Sequence, residues 1–198
     1  MANYRDIRYN FGSTAEIHTD FGNMILLEKI IASGDETISF TDKIDSSYKE
    51  YIFSFINIHP ETDSAAATLG LRDGGTDYDA TKLTTAYYSW HNEGDDNTGL
   101  SYNVGHDIVG TGFAKMGGDA LGNDADQSFS GYMHLFNPSS TTFIKNFFIA
   151  TNTLTEADYC VTEFTAGYAN VTAAIDGIQF KMITGDIDDG IFKLYGVN

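Results

Sequence analysis

The chain is short of cysteine, arginine, proline and long apolar runs, and most of these shortages remove a class of protein. Cys160 is the only cysteine, so no intrachain disulfide can form and a disulfide-dense secreted fold is excluded. A protein made in a bacterial cytoplasm fits that usage. Cys160 lies in a strand-like run, Asp158 to Thr162, and reads as a small buried hydrophobe. Lys and Arg total 11 against 28 Asp and Glu, a formal net charge of −17. Nucleic-acid binding runs through clustered Lys and Arg, and no cluster exists, so neither nucleic acid nor an anionic membrane is an expected partner. The longest apolar candidate, Met24 to Ile31, is interrupted by Glu28 and Lys29 and falls well below the about 18 residues a span needs. The first residues lack a basic segment followed by an apolar one, so no signal peptide is expected.

Motifs that carry chemistry are equally scarce. The five histidines, His18, His59, His91, His106 and His134, form no His-x-His, His-x3-His or His-Glu-x-x-His spacing, so no zinc site is expected. His59, ahead of Pro60, is expected to hydrogen-bond within a turn, and His134 to sit on an outer or intersubunit face. No Gly-x-Ser-x-Gly elbow, P-loop or dinucleotide fingerprint is present; no catalytic residue and no cofactor are expected. Residues 73–79 and 118–126 hold the oxygen ligands that calcium takes, but neither matches the EF-hand loop. Both read as solvated acidic turns, and no metal is expected. One stretch, Trp90, His91, Asn92 and Glu93, mixes an indole, an imidazole, an amide and a carboxylate at a strand end. It is the candidate contact for a glycan or a partner, set beside the plainer reading that Trp90 packs and closes one end of the fold.

What the chain has in plenty is Phe (14), Tyr (12), Gly (20), Thr and Ile, a composition for pleated, half-buried surfaces joined by turns. Its 198 residues suit one domain. The clearest strand is Tyr51 to Ile58, which stops at His59-Pro60; aromatic and β-branched residues fill both of its faces, so either Phe53 and Phe55 or Ile52 and Ile56 point inward. Two apolar faces predict a central strand or a subunit interface. Strand-like runs occupy 24–31, 36–40, 48–58, 66–72, 83–91, 99–104, 107–115, 127–136, 142–151, 159–169, 174–183 and 190–196, with short helical exceptions at 154–159 and 172–175. Met133, Leu135, Ile178, Phe180, Phe192 and Leu194 are the expected core, and Asp186 to Gly190 the turn before the last strand. This spacing predicts an all-β, antiparallel, jelly-roll-like β-sandwich over residues 24–198.

Residues 1–23 differ. They hold Arg5 and Arg8, two of the three arginines, among Tyr4, Ile7, Tyr9 and Phe11, with poor hydrophobic period. They read as an extended N-terminal arm that orders against a partner, with Tyr4, Arg5, Ile7, Arg8, Tyr9 and Phe11 as its anchoring residues.

The segments Ile38 to Thr41, Tyr51 to Pro60, His91 to Glu93, Gly131 to Phe143, Ala166 to Tyr168, Ile178 to Met182 and Lys193 to Val197, in that order, resemble a β-sandwich domain of marine tailed-bacteriophage virion and fibre-like proteins. The resemblance covers roughly residues 24–197. It implies a virion component, made in the host cytoplasm and contacting major capsid or tail proteins, and supplies no catalytic residue. A capsid decoration or head-protrusion protein gripping the particle by its arm is the expected role; the alternative is a tail-fibre or receptor-binding component touching host glycans. Tyr51, Tyr87, Tyr88, Tyr132, Tyr168 and Tyr195 are too many aromatics for a free surface, and a homotrimer is expected.

Overall fold

The computed structural model describes residues 23–117 and 119–197; the arm expected over residues 1–23 lies, but for Asn23, outside them. The chain forms β1 (Met24–Asp35), β2 (Ile38–Phe40), β3 (Glu50–Pro60), β4 (Ala67–Arg72), β5 (Lys82–Asn92), β6 (Thr98–Tyr102), β7 (Val109–Gly110), β8 (Ala114–Lys115), β9 (Phe129–Phe136), β10 (Lys145–Leu154), β11 (Tyr159–Ala169), β12 (Gly177–Met182) and β13 (Ile187–Val197). A large sheet runs β1-β13-β3-β9-β10-β11-β5-β6, with β7 also on β5; a smaller one runs β2-β12-β4-β8. The first two strands pair with the last two in opposite layers, β1 with β13 and β2 with β12. That nested pairing gives the antiparallel sandwich its jelly-roll-like wrap, with layers of very unequal width.

β3 is central, between β13 and β9, and so buries one face and half-covers the other. Tyr51, Phe53 and Phe55 point into the sandwich and Ile52 and Ile56 outward, which settles the alternative left by the sequence. A register shift between Phe55 and Ile58, with Asn57 at φ 50°, then turns Ile58 inward. Gly190 of β13 passes against this bulge at φ 134°, where an added Cβ would stand 2.9 Å from the Asn57 carbonyl oxygen. The core is a cluster of edge-to-face and tilted phenylalanines. Phe180 of the small sheet meets Phe40, Phe53, Phe55 and Phe192 at centroid distances of 5.2–6.3 Å. Met133, Leu135, Ile178 and Leu194 are buried around it, as expected.

The small sheet covers only part of the large one. Over β10, β11 and β5, residues 103–117 and 119–128 lie across the inner face as a loop layer, tied by Thr84 N to the Ile108 carbonyl and by Leu121 to Ala65 and Thr155. The run 107–115 is therefore two short strands, not one: β7 joins β5 and β8 joins β4, in different sheets. Residues 154–159 form a tight turn and 172–175 a bend rather than helices, and β13 already starts at Ile187, inside the stretch Asp186 to Gly190 expected as a turn. Cys160 is exposed rather than buried, because Tyr159 and Val161 take the inward positions of β11. Tyr51 is buried and Tyr88 faces the inner side, so neither belongs to the outer surface to which the sequence assigned it.

Two buried lysines complete the loop attachments. Lys82 and Lys145 flank Ala169 at one end of the large sheet. Lys82 Nζ donates to the Gly112 carbonyl at 2.8 Å, and Lys145 Nζ to the carbonyls of Val171 (3.0 Å) and Ala173. Burial pushes the Lys82 ammonium down to about 8 and lowers that of Lys145 as well.

Candidate functional site

Strand alternation separates the four residues read together in the sequence. Trp90 and Asn92 lie on the inner side of β5, paired with Val161 and Tyr159 of β11. His91 faces the other way, its Nε2 3.0 Å from Asp95 Oδ1 in an exposed turn. Asn92 builds that turn: its Oδ1 accepts from Asn97 N (2.9 Å) and Asp96 N (3.2 Å), and its Nδ2 donates to Asp96 Oδ1 (2.7 Å). Glu93 contributes its backbone N–H, which donates to the Asp158 carbonyl at 3.0 Å. Of the four, Trp90 alone presents its side chain to a recess.

The recess lies beyond the edge of the small sheet and has a volume of about 370 Å³. Tyr88 and Trp90, two apart on β5, form its aromatic floor, with centroids 5.2 Å apart and planes tilted by 31°. Tyr159 and Val161 continue the floor, and Ala120 with the turn Thr155 to Ala157 forms a wall. Asn97 fixes two of the rings at once: its Oδ1 accepts from Trp90 Nε1 at 3.1 Å and its Nδ2 donates to Tyr159 Oη at 3.0 Å. The indole lies flat over Gly99, its partner on β6, where an added Cβ would stand 2.3 Å from the ring. The ring is thus held by Gly99, Asn97 and Tyr88 while it lines the recess. A pyranose offers an apolar C–H face to such rings and hydroxyls to the Asn97 amide and the Glu156 carboxylate at the rim. The sequence signal for this floor was the aromatic pair at i and i+2, Tyr88-Ser-Trp90; Tyr159 and Asn97 join it only through strand pairing and the hairpin turn.

Next to the recess lies a buried ionic cluster that the sequence did not foreshadow. His106, in a single 3-10 turn (Val104–His106), has no exposed side-chain surface. Its Nε2 meets Asp119 Oδ2 at 2.7 Å and its Nδ1 faces Glu163 of β11. Lys115 Nζ is 2.8 Å from the other Asp119 oxygen, and Glu163 also accepts from Thr165 Oγ1 (3.2 Å) and Asn103 Nδ2 (3.4 Å). Burial alone would lower the His106 pKa; the hydrogen bonds and charges of Asp119 and Glu163 outweigh it and raise it to about 9. Burial would raise that of Asp119, but His106 and Lys115 hold it down to about 2. Both ring nitrogens face carboxylates, so the imidazolium is a clamp on the loop layer rather than a general base.

Asp119 belongs to this cluster and is not a solvated turn residue, whereas residues 73–79 are largely exposed. His59 does more than stabilise a local turn. Its Nε2 lies 3.2 Å from the Asp124 carbonyl and its Nδ1 3.5 Å from Asp188 of β13, so it ties the loop around Asp124 and the start of β13 to β3. His134 faces outward, paired with Glu50. The anchoring residues Tyr4, Arg5, Ile7, Arg8, Tyr9 and Phe11 lie outside the described residues. A scan of protein-family models finds none that matches this chain, and a search of curated proteins finds no relative.

Proposed function

We propose that this chain is a bacteriophage virion structural protein on the particle surface, a capsid decoration or head-protrusion protein attached by residues 1–23. Support comes from the resemblance set out above, from the rigid all-β sandwich, and from an arm whose Arg and aromatic residues are those that dominate interface energetics. The observation that carries the reading is where the arm meets the sandwich. β1 is an edge strand of the large sheet, and its ladder with β13 begins at Met24 paired with Val197. Among the described residues no strand pairs with the outer side of β1, so residues 1–23 join the sandwich at an edge strand. Truncation at Gly22 is expected to leave the circular dichroism and melting of the sandwich unchanged while incorporation into particles is abolished. Arg5→Ala with Arg8→Ala weakens attachment. Full occupancy by the truncated protein would locate the anchor in the sandwich and refute this reading.

One observation favours a second reading, a tail-fibre or receptor-binding component that contacts host glycans: the Asn97-held floor of Tyr88, Trp90 and Tyr159. Under it, Trp90→Ala lowers binding to host-surface glycans about tenfold or more, equivalent to about 1.4 kcal/mol. Gly99→Ala, which lifts the indole without removing it, does the same. Equal glycan binding by wild type and both variants would dismiss the recess as a sugar site.

A further inference from the structure

We propose that the outward face of the large sheet is a self-association surface that docks the same face of a second copy of this chain. This inference stands independently of the virion reading. Strand register aligns the outward residues into continuous rows. Phe148 lies between His134 and Ala166, and in the next row Phe164 lies between Ala150 and Tyr87, which in turn pairs with Tyr102. Phe164 and Tyr87 stack at 5.3 Å, and His134 and Phe148 at 4.6 Å. Tyr102 is 57%, Tyr87 51%, Tyr132 42%, Phe164 40% and Phe148 38% exposed. Nothing in the small sheet reaches these rings, which are on the other side of the large one.

Charge selects the occupant. The chain carries 28 carboxylate side chains, yet the outward positions of β3, β9, β10, β11 and β5 include a single one, Glu50, and it is paired with His134. Two bodies of charge −17 repel wherever their acidic loops meet, so this face is the place where two copies can approach. Depletion of charge with enrichment in Tyr and Phe is the composition of an interface centre. The size also fits. The six strands from β3 to β6 at about 4.8 Å spacing, with outward rows extending about 20 Å along them, give an area of about 600 Å². That is the lower end of the share each partner contributes to a stable interface. Self-docking of one face generates a twofold pair, with two sheets stacked about 10 Å apart.

The test is the mass of the full-length protein by light scattering at about 10 μM in 0.15 M salt. Twice the 21.7 kDa of one chain is expected, with tighter pairing as salt rises and screens the net charge. Phe148→Glu with Phe164→Glu is expected to return the mass to one chain, since the twofold places each new carboxylate in the interface twice. Tyr87→Glu, at a more exposed position, is the second variant, and circular dichroism melting verifies that both remain folded. Ile183→Glu, exposed on a loop after β12, is expected to leave the pair intact. A full-length protein that is monomeric overturns the proposal, whether residues 1–22 or another protein covers the face. A pair that survives both sets of outward substitutions overturns it too.

Discussion

His106→Ala is expected to destabilise the fold by about 3–5 kcal/mol, read as the urea midpoint at pH 6.5, because it leaves the buried Glu163 carboxylate without its cation. Adding Glu163→Gln recovers a large part of the loss: the neutral amide keeps hydrogen-bonding capacity toward Thr165 and Asn103 and needs no counter-charge. The same cluster sets a pH dependence. The folded pKa of His106, about 9, lies above its ordinary 6.5, so its contribution is fully present below pH 6.5 and is lost as pH rises through 9. Asp119, held at about 2 against 3.8, contributes stability that is present above pH 3.8 and lost as pH falls through 2. Lys82 acts oppositely to His106. Buried and lowered to about 8 from 10.5, it holds fewer protons folded than unfolded across that window, so stability rises there. Between pH 6.5 and 8 the His106 loss dominates, and the unfolding free energy is expected to fall by about 1 kcal/mol. In His106→Ala that fall disappears. A wild type equally stable at both values would show that the cluster is not charged as described.

Phe180→Ala is expected to cost about 3–5 kcal/mol and to lower the Tm by roughly 10 °C. The ring packs on Phe53 and Phe55 of β3, Phe192 of β13 and Phe40 of β2, and these neighbours are held by strands that cannot collapse into the space. Phe148→Ala, on the uncovered face, is expected to cost less than about 1 kcal/mol in the isolated chain. Urea unfolding of the two variants at protein concentrations low enough for single chains therefore distinguishes the covered face of the large sheet from the open one. Similar losses from both would contradict the layer assignment.

Much of this architecture was legible because period-2 patterning reports directly on strands. The faces of β9 and β12 follow from Met133, Leu135, Ile178 and Phe180 alternating with polar residues, and Phe192 and Leu194 of β13 read inward as they lie. The pattern is silent where both faces are apolar. In β3 it could not choose between Phe53 and Ile52, because the choice depends on which neighbour covers which side. It also misassigns residues whose partners are remote. Lys82 and Lys145 look like surface lysines until two loops bring carbonyls to their ammonium groups. His106 looks isolated until the loop layer sets it between Asp119 and Glu163. The stretch from Trp90 to Glu93 looks like one site in sequence, but alternation sends His91 to the opposite face. The aromatic floor of the recess is instead assembled across β5, β6 and β11.

The central proposal, that this chain is displayed on the surface of a phage particle, is tested most directly by immunogold electron microscopy of particles purified from lysates in which the chain is produced. The account predicts gold distributed over the head in many copies, with labelling lost from particles assembled with the protein truncated at Gly22. Purified particles that carry no label, and no peptide of this chain by mass spectrometry, would contradict it.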